Sequence, residues 1–162
     1  MPGPIILAID PGTLQSGYCI FAGGKVYASG VEANDDMLRR VQTSTADGLA
    51  VEMIASYGMP VGAEVFETCV WVGRFIQAWP DFNTARRVFR RDVKLHLCGS
   101  ARAKDANIRQ ALLDKLGPVG TKAAPGPLYG VKSHAWAAVG VAVTAAADGW
   151  PLPKNPLSSL TQ

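Results

Sequence analysis

One feature constrains this chain more than any other: an acid closes an apolar run, with turn residues directly behind it. The stretch is Ile6-Leu7-Ala8-Ile9-Asp10-Pro11-Gly12-Thr13, followed by Leu14-Gln15-Ser16-Gly17-Tyr18-Cys19-Ile20-Phe21. Ile5 to Ile9 holds no polar residue, and four of its five residues are large or β-branched, which reads as a buried strand. A carboxylate at the end of such a strand costs free energy unless a partner compensates it. Pro11-Gly12 predicts a turn, and Gly17 to Phe21 begins a second strand. Asp10 therefore stands at the mouth of a strand–turn–strand unit.

The rest of the chain extends that unit. Residues 4–9, 17–22 and 25–32 read as three antiparallel strands, the last two joined by the hairpin signal Gly23-Gly24. Residues 35–47 predict a polar helix, and Leu49 to Ile54 a short strand. Residues 60–79 predict a long helix: Val65, Phe66, Cys69, Val70, Phe75 and Ile76 recur at helical spacing, Pro60 suits the first turn and Pro80 follows the end. Asp92 to Leu97 reads as a fifth strand, with His96 pointing outward between Leu95 and Leu97. A helix follows over Ser100 to Leu116, capped by Ser100 and stopped by Gly117. Residues 117–130 are loop, and Ser133 opens a last helix to about Ala147, apolar nearly all round and so buried. The class is mixed α/β: a five-stranded sheet, three antiparallel strands and then alternating helix and strand, flanked by helices. One domain over residues 1–150 and a flexible tail over 151–162 complete the organisation.

Composition narrows the partners. The formal charge is only +3, but Lys and Arg crowd between Arg86 and Arg109, while the first 38 residues hold one Lys and no Arg. Such asymmetry points to an anionic partner on one face, with a solvated basic segment as the plain alternative. The three cysteines, Cys19, Cys69 and Cys98, are scattered without CxxC spacing, which argues against a zinc knuckle or a disulfide framework. With no secretory leader and no run suited to a bilayer, the expectation is a cytoplasmic protein without membrane contact.

Glu52 raises the same question as Asp10, because Val51 and Met53-Ile54 flank it. Simple alternation could turn either acid to water. Two acids at the ends of adjacent central strands, however, can meet within reach of one divalent cation, which offsets their repulsion. His134 opens the last helix behind Lys132 and Ser133; it is a third candidate, or a surface residue. Tyr57, just past the Glu52 strand, could stack on a base or simply pack.

These residues carry a likeness. "ILAIDPGTLQSGYCIF" resembles the opening of RuvC-type Holliday junction resolvases, members of the RNase H-like superfamily, and the chain looks like a divergent, phage-type branch. The resemblance implies that Asp10 is a catalytic, metal-binding acid and that Glu52, in "AVEMIA", is the second. "VKSHAWAAVGVAV" is similar to the family's final helix start, D-x-x-D-A-h-A-h-A, with His134 in place of the last Asp and Val131 three residues earlier. The set is then one ligand short of the family's four; Asp105 and Glu67 are other acids, Asp105 reading as a solvated surface one. The implied cofactor is Mg²⁺ or Mn²⁺, two ions with substrate bound, and the implied activity is endonucleolytic hydrolysis at four-way junctions or other branched DNA. The implied DNA contacts are Arg86, Arg87, Arg90, Arg91, Lys94, Arg102 and Lys104, with Tyr57 near the junction centre. Paired cuts imply a C₂ homodimer through the helix at 60–79, where Trp71 and Trp79 could serve either interface or core. Alternatives are a YqgF-like ribonuclease, a non-catalytic branched-DNA binder, and an ATP-binding module, whose Asp-x-Gly-Thr opening needs a second domain and an Asp-Gly-Gly motif that this chain lacks.

Overall fold

Residue parity along the first strand sets the architecture of the computed structural model, which describes residues 3–151. In β1 (Ile6–Asp10), Ile6 and Ala8 face one core while Leu7 and Ile9 face another. β2 (Gln15–Ala22) and β3 (Lys25–Ala33) run antiparallel beside it, and β4 (Gly48–Met53) and β5 (Ala85–Phe89) run parallel on the other side. The five-stranded sheet has the order β3-β2-β1-β4-β5, so β1 and β4 are central. Such central strands, covered on both faces, become continuous apolar runs.

The helices divide between the faces. On one side, α1 (Asn34–Thr43) and α2 (Ala63–Ala78) bury Met37, Val41, Val72 and Phe75 against Leu7, Ile9, Leu49 and Val51. On the other, α5 (Ala135–Ala146) lays Ala135, Ala138, Val139 and Ala142 against Ile6, Ala8, Cys19 and Ala50. α3 (Arg90–Cys98) and α4 (Asp105–Leu116) close that side through Val93, Ile108 and Leu112. α5 is buried through most of its length, as its all-round apolar sequence predicts.

Several sequence expectations need correction. The expected strand at Asp92 to Leu97 is the middle of helix α3, and the fifth strand is Ala85–Phe89. Val93 and Leu97 are spaced by four and turn inward together, while Leu95 between them is 43% exposed: the period is helical, not alternating. α4 starts at Asp105 rather than Ser100, whose hydroxyl accepts from Arg102 N in a turn (3.2 Å). The start of α4 is tied instead by Asn107 Oδ1, which accepts from Lys104 N at 2.9 Å. α1 ends at Thr43 and α2 begins at Ala63, so Pro60 lies before the helix. α5 begins at Ala135, and Ser133, with φ of 49°, does not cap it. The expected tail beyond Pro151 lies outside the described residues.

Candidate active site

Strand parity brings the two acids together. Asp10 continues the Ile6–Ala8 side of β1, and Glu52 continues the Ala50 side of β4. β1 and β4 are parallel with Ala8 opposite Ala50 and Ile9 opposite Val51, so the next pair along is Asp10 beside Glu52. Both carboxyl groups point to the α5 side, within hydrogen-bonding reach of each other. Glu52 is 7% exposed, so it is buried beside the cavity rather than turned out to solvent as simple alternation would allow.

Two local devices hold Asp10 in place. Behind it, the turn of Pro11 to Ser16 is pinned by Asn34, the buried first residue of α1. Ser16 Oγ donates to Asn34 Oδ1 (2.6 Å), Asn34 Nδ2 donates to the Gly12 carbonyl (2.9 Å), and Gly12 N donates to Ser16 Oγ (3.2 Å). Losing Asn34 would strand buried partners at a cost of about 1–3 kcal/mol. Beside Asp10 lies Gly17, its register partner on β2. A Cβ at Gly17 would sit 2.4 Å from the backbone carbonyl of His134, so only glycine lets the start of α5 come down onto this strand. The result places His134 Nδ1 3.3 Å from Asp10 Oδ2, with the ring donating when Nδ1 carries the proton.

On its far side Glu52 meets a cation. Arg90 Nη1 donates to Glu52 Oε1 at 3.1 Å, and Arg90 Nη2 pairs with Asp105. The side chains thus form a connected series, His134–Asp10–Glu52–Arg90–Asp105. Among the described residues, no three His, Cys, Asp or Glu side chains already surround one point as metal ligands. The series closes one wall of an open cavity of about 1000 Å³, whose other sides include Arg109, Lys132, Trp136 and Ala137.

Burial and like charge govern the two acids. Burial raises the Asp10 carboxyl above its ordinary range, although the hydrogen bond from Glu52 and the charge of Arg90 pull it down. Glu52 is pushed up to about 8, by burial first and then by the hydrogen bond and charge of Asp10, which together outweigh Arg90. Both carboxyls are thus shifted toward the protonated form, and the pair resists carrying two full charges. A site that resists its own double ionisation is one that a divalent cation would relieve, and two carboxylates with an imidazole suit Mn²⁺ or Mg²⁺ by donor type.

The remaining expected site residues divide. Arg90, Arg91, Lys94 and Tyr57 gather around a second, adjoining cavity of about 430 Å³, with Arg91 stacked on the Tyr57 ring at 5.6 Å. Tyr57 is 63% exposed and holds a left-handed backbone with φ of 48°, a conformation that costs a tyrosine about 1 kcal/mol or more. Arg102 and Lys104 are exposed ahead of α4; Arg87 is exposed on β5 but shares the Val51 side of the sheet, across from the acids, contrary to the expectation of a contact at the site. Arg86 lies elsewhere: it donates to the Ala145 carbonyl (3.3 Å) and pairs with Asp148 (2.9 Å), bracing the end of α5. Glu67 is exposed on α2, the helix across the sheet from the acids, and Asp105, read as a solvated acid, is exposed yet paired. Sequence reasoning missed Asn34, whose signal was an Asn at a helix start. It also left Lys132 unassigned, although it stands beside His134.

The sheet order and flanking helices define a mixed α/β domain of RNase H-like fold. The chain is similar to Thermus thermophilus RuvC in complex with a Holliday junction substrate: TM-score 0.65, 19% identity, over 90% of this chain and 94% of that one. A second Thermus thermophilus RuvC structure aligns with TM-score 0.60 and 19% identity, over 88% and 93% of the two chains. No protein-family model and no curated protein sequence matches the chain. At this identity the likeness establishes the fold, and the chain has the fold of RuvC.

Proposed function

We propose that the protein is a divalent-metal-dependent endonuclease that hydrolyses phosphodiester bonds in branched DNA, four-way junctions above all. The observation that carries this reading is the meeting of Asp10 and Glu52 at adjacent strand ends beside His134, at the edge of a basic and aromatic rim. The fold it shares with a RuvC seen with a junction supports the choice of substrate.

Asp10, Glu52 and His134 would hold Mg²⁺ or Mn²⁺, two ions with substrate in place. When bound, the metal supplies an activated water and charge for the leaving oxygen. The protein's own residues do the rest. Asp10, between the imidazole and Glu52, orients both. Burial of Glu52 excludes water from all but the open side. If His134, 59% exposed, does not ligate the metal, its alternative role is to pass a proton between Asp10 and solvent. Arg91, Lys94, Arg109 and Lys132, with Arg102 and Lys104 further out, offer contacts to backbone phosphates. Tyr57, raised on its strained turn with Arg91 against its ring, is placed to stack on an unpaired base.

Two cuts in a two-fold junction require two sites, and α2 supports a homodimer. Its outer side carries Phe66 (63% exposed) and Val70 (56%) four residues apart, and then Gly73, whose surroundings are open. Trp79 is core: it is buried and its Nε1 donates to Thr84 Oγ1 at 2.9 Å. Trp71 is half-buried under Arg74 and against Phe75.

The test uses a labelled synthetic four-way junction with the parent, Asp10→Asn and Glu52→Gln, each in Mg²⁺, in Mn²⁺ and in EDTA. The parent should nick the junction only with metal. Each variant should lose roughly 10³-fold or more in rate while still shifting the junction on a gel. Arg90 seated on Glu52 favours one other reading, a junction binder that does not cut. A parent that shifts the junction but never nicks it would establish that reading.

A further inference from the structure

Arg90 occupies an odd position. It is the first residue of α3, where the helix dipole disfavours a cation, and Arg91 follows it. α3 has no side-chain cap there. Asp105, by contrast, is the first residue of α4, where an acid belongs. The Arg90 guanidinium is not clasped by one carboxylate through both nitrogens, the geometry in which Arg binds most firmly. It is split: Nη1 reaches the buried Glu52 and Nη2 reaches Asp105, whose side chain is 86% exposed. The outward tether is thus a surface ion pair, weak and screened by salt. Arg90 is also shared by the two cavities: it lines the one that holds the acids and the one that holds Tyr57, Arg91 and Lys94.

We propose that Arg90 is a resident counter-cation: in the free protein it occupies Glu52 in competition with a divalent ion, and a DNA phosphate draws it off. This rests on the nuclease reading above. A phosphodiester offers two oxygens in the geometry a guanidinium prefers, and it arrives on the Tyr57–Arg91–Lys94 side, where Arg90 already borders the rim. Once Arg90 turns to the phosphate, Glu52 is released to act with Asp10. Phosphate and metal are then coupled, each raising the affinity of the other by the same factor. Asp105 gives Arg90 a second anchor away from Glu52, which keeps the pair from locking. The site therefore binds metal weakly until the strand to be cut is present.

The test is Mn²⁺ binding to the free protein, without DNA, followed by the paramagnetic resonance of unbound Mn²⁺. Arg90→Gln should bind Mn²⁺ at least about tenfold more tightly than the parent. Arg91→Gln removes the same charge next door without touching Glu52, and should stay within about twofold of the parent. The gain should vanish in the double variant Arg90→Gln with Glu52→Gln. Arg90→Met, which keeps the aliphatic stem, is measured alongside, so either folded neutral variant decides the matter. Equal or weaker Mn²⁺ binding in the neutral variants overturns the proposal, and so does an equal gain in Arg91→Gln. Junction cleavage by the parent separates the two levels. A parent that cleaves with Mn²⁺ while Arg90→Gln binds it no tighter removes the counter-cation role alone. A parent that neither cleaves nor binds Mn²⁺ in any variant removes the nuclease reading as well, and this inference with it.

Discussion

The face of the sheet under α5 and the face under α1 and α2 are filled with different sizes of side chain. Under α5 the contacts are mostly small: Ala8, Cys19 and Ala50 meet Ala135, Ala138 and Ala142. Under α1 and α2 they are large: Leu7, Ile9, Leu49 and Val51 meet Met37, Phe75 and Trp79. Small residues let a helix backbone approach a sheet closely, and that approach puts His134 on Asp10. The large-residue face completes a core, lends only the support of Asn34 to the turn behind Asp10 among the described residues, and leaves Phe66 and Val70 outside. One face therefore builds chemistry, and the other builds stability with apolar surface to spare.

Two glycines break or sharpen that contrast most. Gly17→Ala on the α5 side pushes a methyl into the His134 carbonyl 2.4 Å away, where backbone must move. The expected cost is about 3 kcal/mol, or a fall in Tm on the order of 10 °C, with junction cleavage reduced beyond what the stability loss explains. Gly73→Ala on α2 meets nothing within 4 Å and removes a helix-interior glycine. It should stabilise the protomer by about 0.5–1 kcal/mol. Thermal melts of both decide it; equal effects would mean that α5 does not need its close approach.

The buried acid yields the next effect. Glu52 sits at about 8 in the fold against an ordinary value of 4.5, so the folded protein holds its proton more tightly than the unfolded chain. Stability from that proton is complete below about 4.5 and drains away as pH rises to about 8. Asp10, raised in the same direction, adds to the slope. The parent should lose on the order of 5 °C in Tm between pH 5 and pH 8, whereas Glu52→Gln, always neutral, should show a much flatter profile. Millimolar Mn²⁺ should recover part of the loss at pH 8 in the parent but not in Glu52→Gln. Identical profiles for the two proteins would mean that Glu52 ionises as if in water.

The fold was legible where the pattern is local. Period-two runs and Gly23-Gly24 define β1 to β3, and a charge interrupting an apolar strand is enough to mark Asp10 and Glu52. β5 and α3 were not legible, for a physical reason. Ala85-Arg86-Arg87-Val88-Phe89 is an edge strand with only Val88 fully buried, so its apolar pattern is faint. Val93, Leu95 and Leu97 satisfy strand alternation as well as they satisfy a helix, and only packing against α5 separates the two. The Arg90–Asp105 pair spans 15 residues and two helices, a distance no local pattern encodes. The basic run consequently looked uniform, and it is not. Arg86→Gln should cost about 1 kcal/mol at the end of α5 and leave the salt dependence of junction binding unchanged. Arg91→Gln should leave Tm alone and flatten the salt dependence by up to about 0.9 log unit. Binding titrations across a range of salt concentrations, with melts alongside, distinguish the two arginines.

The smallest effect on the protomer is expected at the outer side of α2, and it tests the other half of the comparison. Phe66 and Val70 are largely in solvent, so Phe66→Glu with Val70→Glu removes no core contact and should shift the protomer's own stability by roughly 0.5 kcal/mol or less. Their spacing of four puts both on one line of the helix, with Gly73 next along it, where a second helix can come near. If two copies meet there, two carboxylates on each side set four charges against one another across a two-fold axis, and the dimer should dissociate into folded monomers. Sedimentation at micromolar concentration reads that directly, and junction cleavage reads its consequence: single nicks should persist while paired, symmetric cuts disappear. A double variant that sediments as the parent does would move the interface off α2 and leave Phe66 and Val70 as ordinary exposed side chains.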